Sequence, residues 1–257
     1  MRHPLQMQRS SKPPTPDGPR HGIARVLSKA GLCSRTQAAA WVREGRVAVN
    51  ARVVRDPEHP VRPGVDRVAV DGRDIAAAQR LYLALNKPRG LVTTASDEKG
   101  RDTIYACFAD AGLPWLAPVG RLDQASEGLL LMSNDPAWAA AITDPGTGPD
   151  KTYHVQVDAI PDAALLAKLV QGVVEDGEPL AAKSATLLRS GSRNAWLKIV
   201  LDEGRNRQIR RLLAAHGLGV LRLVRTAIGE LSLGELAKGQ WRHLTAAEVA
   251  AMAPSTP

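Results

Sequence analysis

The apolar positions of residues 21 to 75 predict two short helices followed by short strands. The first helix is predicted from apolar residues at helical spacing, which are Ile23, Val26, Leu27 and Ala30. Gly31 suits its end, Ser34 is placed to cap a second helix, and Gly45 suits the end of that one. Short strands are then expected at 47–49, 53–54 and 67–70, with turns at Asn50-Ala51 and Asp71-Gly72.

Beyond residue 80 the pattern mixes strands with fewer helices. Strands are expected at 81–85 and 91–94, around a turn at 86–90, and again at 116–119, 129–132, 153–157 and 196–201. Helices are expected at 162–171 and 207–216. Many strands separated by few helices favour an α+β fold with a mixed, largely antiparallel sheet.

Composition separates these regions. Residues 1–20 are polar and rich in proline, which predicts a disordered basic tail, and 76–80 reads as a short joint between domains at 21–75 and 81–250. The whole chain carries 34 Lys and Arg against 26 Asp and Glu, a net charge of +8. That balance favours a polyanionic partner such as nucleic acid, although a merely soluble basic protein fits it too.

Other classes of function are disfavoured by what the sequence lacks. Its two cysteines, Cys33 and Cys107, are far apart, and neither they nor the six histidines have metal-ligand spacing. No apolar run is long enough to span a bilayer, and no secretory signal is recognisable. We therefore expect a cytoplasmic protein with reduced thiols and without a metal, a small-molecule cofactor or a membrane contact.

The second helix of the first domain is flanked by three cations. Arg35, Arg43 and Arg46 are placed where they could grip phosphates, and a solvated helix face explains them equally well. The residues "VLSKAGLCSRTQAAAWVREGRVAVNARVV" and "DRVAVDG" resemble the S4 RNA-binding module. That resemblance implies a small module that docks on structured RNA through its arginine-bearing helical face.

Asp123 is the strongest candidate for chemistry. It lies in a polar loop between two apolar strands, where a carboxylate can serve as nucleophile or base. A turn aspartate that caps the neighbouring amides of Ser126 and Glu127 fits the same residues.

The segment around Asp123 resembles a known family. "GRLDQASEGLLLMSND" is similar to the Gly-Arg-Leu-Asp motif of pseudouridine synthases that modify ribosomal RNA at single sites. Four further matching segments occur in the order found in that family, which are "LNKPRG", "KTYHVQV", "EGRNRQIRRL" and "LRLVRTAIGELSLGELAKGQWRHLT". Ser126 stands where the family commonly has threonine, and the hydroxyl is retained.

The resemblance implies roles for individual residues. Asp123 matches the nucleophile, which attacks a uridine at C1′ of the sugar or C6 of the base. Tyr153 would stack on the uracil, Arg210 would pair with Asp123, and Arg121 would fill the space that the everted base leaves. Ile209 and Leu223 are candidates for an apolar floor beneath the base, with ordinary core positions as the alternative.

Further cations of the second domain are candidates for phosphate contacts. These are Lys87, Arg89, Arg205, Arg207 and Arg211. The resemblance favours ribosomal RNA as the partner, the large subunit over the small one, and a monomeric enzyme.

Two alternatives remain open at this point. An S4-type RNA-binding protein without catalysis would explain the charge and the first domain. A glycoside hydrolase using Asp123 and Glu127 would explain two nearby carboxylates.

Overall fold

We analysed a computed structural model, which describes residues 19–75, 79–95, 97 and 99–252. The chain divides into two compact units, Met1–Ala78 and Gln79–Pro257. The predicted disordered tail, apart from residues 19 and 20, and the middle of the predicted joint, residues 76–78, lie outside the described residues.

The first unit consists of two helices and two small sheets. Its elements in chain order are β1 (His21–Gly22), α1 (Ile23–Lys29), α2 (Arg35–Arg43), β2 (Val47–Val49), β3 (Arg52–Val53), β4 (Pro60–Val61), β5 (Val68–Val70) and β6 (Arg73–Asp74). Strands β1 and β4 pair, and the other four form an antiparallel sheet in the order β3-β2-β5-β6.

Local signals set these bounds as predicted. The Ser34 hydroxyl accepts a hydrogen bond from the Gln37 amide at 3.0 Å and so caps α2. Asn50 and Ala51 both have positive φ, at 49° and 64°, as a tight hairpin turn between two right-twisted strands requires. The apolar stripes of α1 and α2 meet the inner face of β2 in one core, which includes Ile23, Leu27, Val42 and Val47.

The second unit is built on one large sheet. Its strands are β7 (Tyr82–Lys87), β8 (Ala117–Val119), β9 (Glu127–Ser133), β10 (Lys151–Val157), β11 (Val173–Glu175), β12 (Glu178–Leu180), β13 (Ser184–Ser190), β14 (Ala195–Leu201), β15 (Val220–Ile228), β16 (Leu231–Ser232) and β17 (Trp241–His243). Its α-helices are α3 (Pro136–Thr143), α4 (Ala163–Gln171), α5 (Gln208–Ala215) and α6 (Ala246–Ala251), with a 3₁₀ helix at Ile104–Phe108.

The large sheet has nine strands and a single parallel pairing among those described. The order is β13-β14-β10-β15-β9-β7-β17, with β16 added beside β15 and β8 beside β9. All neighbours are antiparallel except β15 and β9, which meet only at Val224 opposite Glu127 and Arg225 opposite Gly128. The α+β class and the mixed, largely antiparallel sheet are thereby confirmed.

The two strands that lie on either side of β15 differ in burial. Strand β9 is buried at every position, as expected for an interior strand with both faces covered. Strand β10 alternates, with Lys151, Tyr153, Val155 and Val157 on the buried face and the intervening residues partly exposed. The apolar part of that buried face packs in a core with residues of α4 and α5.

One predicted strand is wrong. Residues 91–94 form no strand; Val92 makes only an isolated bridge to Thr103. The Thr93 hydroxyl instead donates to the Leu122 carbonyl at 2.6 Å. This segment is therefore used to hold the Asp123 loop rather than to extend the sheet.

Candidate active site

Asp123 lies in the loop that joins β8 to β9, facing an open cleft of about 1070 Å³. That volume is at the upper end of the range of about 300 to 1,000 Å³ found for small-molecule sites. The Asp123 side chain keeps 38% of its surface exposed. Its main-chain carbonyl accepts from the Ser126 amide at 2.9 Å, which closes the tight turn that enters β9.

Residues 87 to 93 hold this loop from one side. The amide of Gly90 donates to the Gln124 carbonyl at 2.8 Å, and the Gln124 side-chain amide donates back to the Gly90 carbonyl at 2.9 Å. With the Thr93 contact to Leu122, these bonds fix both neighbours of Asp123. The carboxylate is thus presented by a loop whose own main chain has little freedom.

One wall of the cleft is aromatic and apolar. Tyr153 on β10 is 8% exposed, Ile209 on α5 is 4% exposed and Leu223 on β15 is 6% exposed, and all three line the cleft. They also belong to the main core, so the same side chains serve packing and form the surface of the cleft.

Arg207, and not Arg210, pairs with Asp123. The Nη1 atom of Arg207 lies 3.4 Å from Oδ2 of Asp123. The expectation of a direct Arg210 to Asp123 pair is therefore wrong for this structure. Arg207 has φ of 49° and precedes the first residue of α5, so the helical repeat does not set its side-chain direction.

The side chain of Arg210 contacts the main chain of the same loop. Its Nη2 donates to the Ala125 carbonyl at 3.2 Å, while its Nε is buried without a hydrogen-bond partner. Burial lowers the pKa of Arg210, the nearby Arg207 and Arg89 charges lower it further, and the Asp123 charge opposes them. The Asp123 carboxylate thus lies in a field of two arginines, one in contact and one at longer range.

Gln208 shapes the segment that carries Arg207. Its side-chain carbonyl accepts from the Arg205 amide at 3.1 Å, and its amide group donates to Glu203 at 2.8 Å. Arg205 lines the cleft and is itself paired with Glu203 at 2.8 Å. These contacts within the loop before α5 hold Arg207 in its uncommon main-chain conformation.

The prediction that Lys87 contacts phosphate is also wrong. Its side chain is completely buried. Its ammonium group donates to the carbonyls of Pro88, Asp123 and Ser126 at 3.1, 3.2 and 2.9 Å. Burial lowers the pKa of Lys87 to about 8, against the favourable charges of Asp123, Cys107 and Glu127. Lys87 therefore holds the Asp123 turn and is not available to RNA.

Arg211 also differs from its prediction as a phosphate contact. It pairs with Glu175 and Glu178 of the β11-β12 hairpin, at 2.6 Å in each case. The exposed residue Arg121 lines the cleft two positions before Asp123, whereas Arg89 is exposed on the neighbouring turn without lining the cleft. Of these three arginines, only Arg121 is thus an open cation within the cleft.

The three predicted arginines of the first unit have different surroundings. Arg46 pairs with Asp71 and stacks over the Trp41 ring, with its Cζ 5.0 Å from the ring centroid. Arg35 pairs with Glu58 across an exposed contact. Arg43 is exposed, and within residues 19–75 no carboxylate lies within ion-pair distance of it.

Glu127 is four residues after Asp123 but does not line the cleft. Its side chain is 3% exposed and pairs with Arg222 at 3.0 Å and Lys238 at 2.5 Å. Burial opposes its ionisation, but the bonds from Arg222 and Lys238 outweigh burial and lower its pKa. A glycosidase pair of Asp123 and Glu127 on one cleft is thereby excluded.

Sequence reasoning missed several residues of this region. Glu127 was considered only as a turn neighbour and as the second carboxylate of a glycosidase, and Arg222, Arg225 and Lys238 were not singled out. For Lys87 a signal was present, since it follows directly on the apolar run 83–85 and Asn86 at the end of β7. Among the described residues, no group of three or more His, Cys, Asp or Glu is placed to hold a metal ion. None of the helices described is both long and apolar enough to cross a membrane.

Comparison with known proteins matches both units. Residues 81–215 match the family described as RNA pseudouridylate synthase, and residues 22–66 match the S4 domain. The ribosomal large subunit pseudouridine synthase B of Bacillus subtilis is 36% identical over 230 residues, which is 88% of this chain and 93% of that protein. An uncharacterized RNA pseudouridine synthase of Aquifex aeolicus is 38% identical over 231 residues, 89% of this chain and 92% of that protein.

A solved structure agrees with the sequence relatives. A crystal structure of a pseudouridylate synthase is 30% identical, with a TM-score of 0.63, over 91% of this chain and 100% of that one. The five ordered motifs, the cleft that contains Asp123 and these matches agree with one another. The chain belongs to the RNA pseudouridylate synthase family and carries an S4 domain before the synthase domain.

Proposed function

We propose that this protein converts one uridine of ribosomal RNA to pseudouridine, with large-subunit RNA as the substrate in preference to small-subunit RNA. The likeness to the Bacillus subtilis large-subunit enzyme over almost the whole of both chains supports that substrate. The net charge of +8 suits a polyanionic partner. We place the reaction in the cytoplasm and assign it to a monomer.

The proposed chemistry begins with the carboxylate of Asp123. It attacks the target nucleotide at C1′ of the sugar or at C6 of the base, and the N-glycosidic bond breaks. The uracil turns within the cleft and is joined to the sugar again through C5, and the bond to Asp123 breaks, which restores the carboxylate. C5 loses its proton, and N1, which no longer bonds the sugar, gains one from solvent. All atoms except that exchanged proton are conserved, and no electron is gained or lost. The reaction therefore needs neither a redox cofactor nor an energy donor.

Neighbouring side chains suit the other requirements of this reaction. Arg207 contacts Asp123 and Arg210 lies close to it, so their positive charges balance that of the nucleophile. Tyr153 gives the uracil ring a surface to stack on, and Ile209 and Leu223 exclude water beneath it. Arg121, exposed two residues before Asp123, is placed to enter the space that the everted base leaves in the RNA.

One observation carries the proposal: a partly exposed carboxylate lies 3.4 Å from a guanidinium inside a cleft that is also lined by Tyr153, Ile209 and Leu223. An RNA-binding protein without catalysis would need the basic surface but not this arrangement. The arrangement suits a nucleophile that must remain ionised while an uncharged ring lies beside it.

The test uses deproteinised large-subunit ribosomal RNA labelled with tritium at C5 of uridine, because each turnover releases that tritium. We expect release by the wild-type protein and a loss of more than about 1,000-fold in rate for Asp123→Asn, as for other removed nucleophiles. RNA affinity should persist in the variant. Full activity of Asp123→Asn would reject the nucleophile, and no release by the wild-type protein from either subunit's RNA would reject the function.

A further inference from the structure

Arg225 is a buried cation, and among the described residues no carboxylate lies within ion-pair distance of it. It is 5% exposed, lies on β15 and lines the cleft. Its Nε donates to the Leu129 carbonyl at 2.7 Å, whereas its Nη2 is buried and has no hydrogen-bond partner. A buried guanidinium with an unused donor is costly unless something in the cleft accepts from it.

A second cation lies beside it. Lys151 is 9% exposed and lines the same cleft. Strand pairing sets Tyr153 opposite Arg225 and Lys151 opposite Ile228, so both cations share the face of the sheet that carries Tyr153. Burial and the Arg225 charge both lower the pKa of Lys151, which agrees with two positive charges close together.

The nearby carboxylates do not neutralise this pair. Asp144, Asp150 and Asp202 are close enough to raise the pKa of Lys151, but among the described residues none lies within ion-pair distance of it. Asp150 pairs with Lys183 at 2.8 Å, and Asp144 accepts from the amides of Gly146 and Thr147, each at 2.8 Å.

The backbone holds Arg225 in this position. Gly128 approaches it so closely that a Cβ at 128 would lie 2.2 Å from the Arg225 carbonyl oxygen. Because Gly128, with φ of 101°, and Leu129 follow the nucleophile loop on β9, the position of Arg225 is tied to that of Asp123. The main chain of Arg225 is thus held against β9, and its side chain is buried rather than displayed on the surface.

We propose that Lys151 and Arg225 form an anion subsite that binds a phosphate group next to the everted uridine. In this arrangement Tyr153 lies between two parts of the cleft lining. Leu223 contacts the base on one side of it, and Lys151 and Arg225 bind the phosphate on the other. A guanidinium and an ammonium together make charge-assisted hydrogen bonds that a phosphate oxygen accepts well. Assigning the phosphate to the target nucleotide rests on the proposed function; the anion subsite itself does not.

The test measures equilibrium binding at constant ionic strength by calorimetry, with uridine, uridine 3′-monophosphate, uridine 5′-monophosphate and inorganic phosphate as probes. We expect one of the monophosphates to bind the wild-type protein with a dissociation constant near about 1 mM and about 10-fold more tightly than uridine. Lys151→Gln and Arg225→Gln should abolish that difference. Lys198→Gln removes an exposed lysine from the other face of β14 and should preserve it.

Three results would overturn the subsite. These are equal affinity for uridine and both monophosphates, no binding of any phosphate-bearing probe up to about 20 mM, and unchanged phosphate preference in Lys151→Gln. If Arg225→Gln fails to fold, Lys151→Gln decides, since Lys151 makes no main-chain hydrogen bond through its side chain among the described contacts. None of these measurements needs turnover, so an inactive wild-type protein with an intact preference would reject the proposed function alone.

Discussion

The ammonium group of Lys87 donates a hydrogen bond to the main-chain carbonyl of Asp123 at 3.2 Å. The same group reaches the carbonyls of Pro88 and Ser126, so one buried cation ties the end of β7 to both ends of the Asp123 turn. A lysine that the sequence places on a surface turn thereby becomes a positioning residue for the candidate nucleophile.

Replacing Lys87 with methionine keeps its length and removes its donors. Three carbonyls lose the Lys87 donor, and of these the Asp123 carbonyl keeps the Ser126 amide, so we expect Lys87→Met to lower the free energy of unfolding by about 1 to 3 kcal/mol in urea titrations. Because the Asp123 turn loses its anchor, kcat/KM for tritium release should fall about 10- to 100-fold. Lys198→Met should change neither quantity. A folded Lys87→Met protein with wild-type kcat/KM would contradict the positioning role.

Lys87 should also leave a signature in the pH dependence of stability. Its pKa in the folded protein is about 8, against 10.5 for an unperturbed lysine. Between these values the unfolded chain binds more protons, so this group makes the free energy of unfolding rise from pH 8 towards 10.5. Subtracting the curve of Lys87→Met from that of the wild-type protein isolates the effect. A flat difference across this window would show that the pKa of Lys87 is unperturbed, a falling one that its pKa is raised, and either would contradict the prediction.

Two arginines of one segment should differ in their effect on RNA binding. Arg207 is half exposed and, among the described residues, Asp123 is the only carboxylate within ion-pair distance of it, at 3.4 Å, whereas Arg211 is held by Glu175 and Glu178. We expect Arg207→Gln to weaken RNA affinity and to reduce the salt dependence of binding by about one phosphate contact. Arg211→Gln should leave that slope unchanged. Filter binding across a salt series checks both, and equal slopes for the two variants would contradict the assignment.

Glu127 should matter for stability more than for RNA affinity. Glu127→Gln removes the anion shared by Arg222 and Lys238, whose side chains stay partly exposed to solvent, so we expect the free energy of unfolding at neutral pH to fall by about 1 kcal/mol. Because its pKa is held below the ordinary 4.5, the contribution exists above that pH and is lost as the pH falls below it. Glu230→Gln, at an exposed position, is the matched control, with an expected change within about 0.5 kcal/mol. Equal stability of the two variants would show that the buried cluster is energetically neutral.

Local signals in the sequence predict much of the fold. The Ser34 cap, the Asn50-Ala51 turn and the alternation along β10 each depend on neighbouring residues, and each appears as expected. The strand expected at 91–94 does not form because Thr93 bonds to the Asp123 loop at Leu122 and Val92 bridges to Thr103, and both contacts join residues distant in the sequence. Strand β17 pairs with β7 across about half the chain, and no local pattern identified it.

The candidate site shows the same division. Motif residues such as Asp123, Tyr153 and Ile209 were identified from the sequence, and the structure gathers them around one cleft. Which cations face RNA could not be predicted, because that depends on where acidic partners lie. Lys87 is buried beneath the loop and Arg211 is taken up by a hairpin, while the unpredicted Arg225 lines the cleft.

Gly128 has a consequence for any attempt to redesign this protein. Because residue 128 is a glycine, the main chains of β9 and β15 can lie close together at their parallel pairing. Even one methyl group at position 128 would collide with the Arg225 backbone. The distance between the Asp123 loop and the proposed anion subsite of Lys151 and Arg225 is therefore set by the packing of the main chains. An engineer seeking to admit a different nucleotide can vary Ile209 or Leu223, but position 128 has to remain without a side chain.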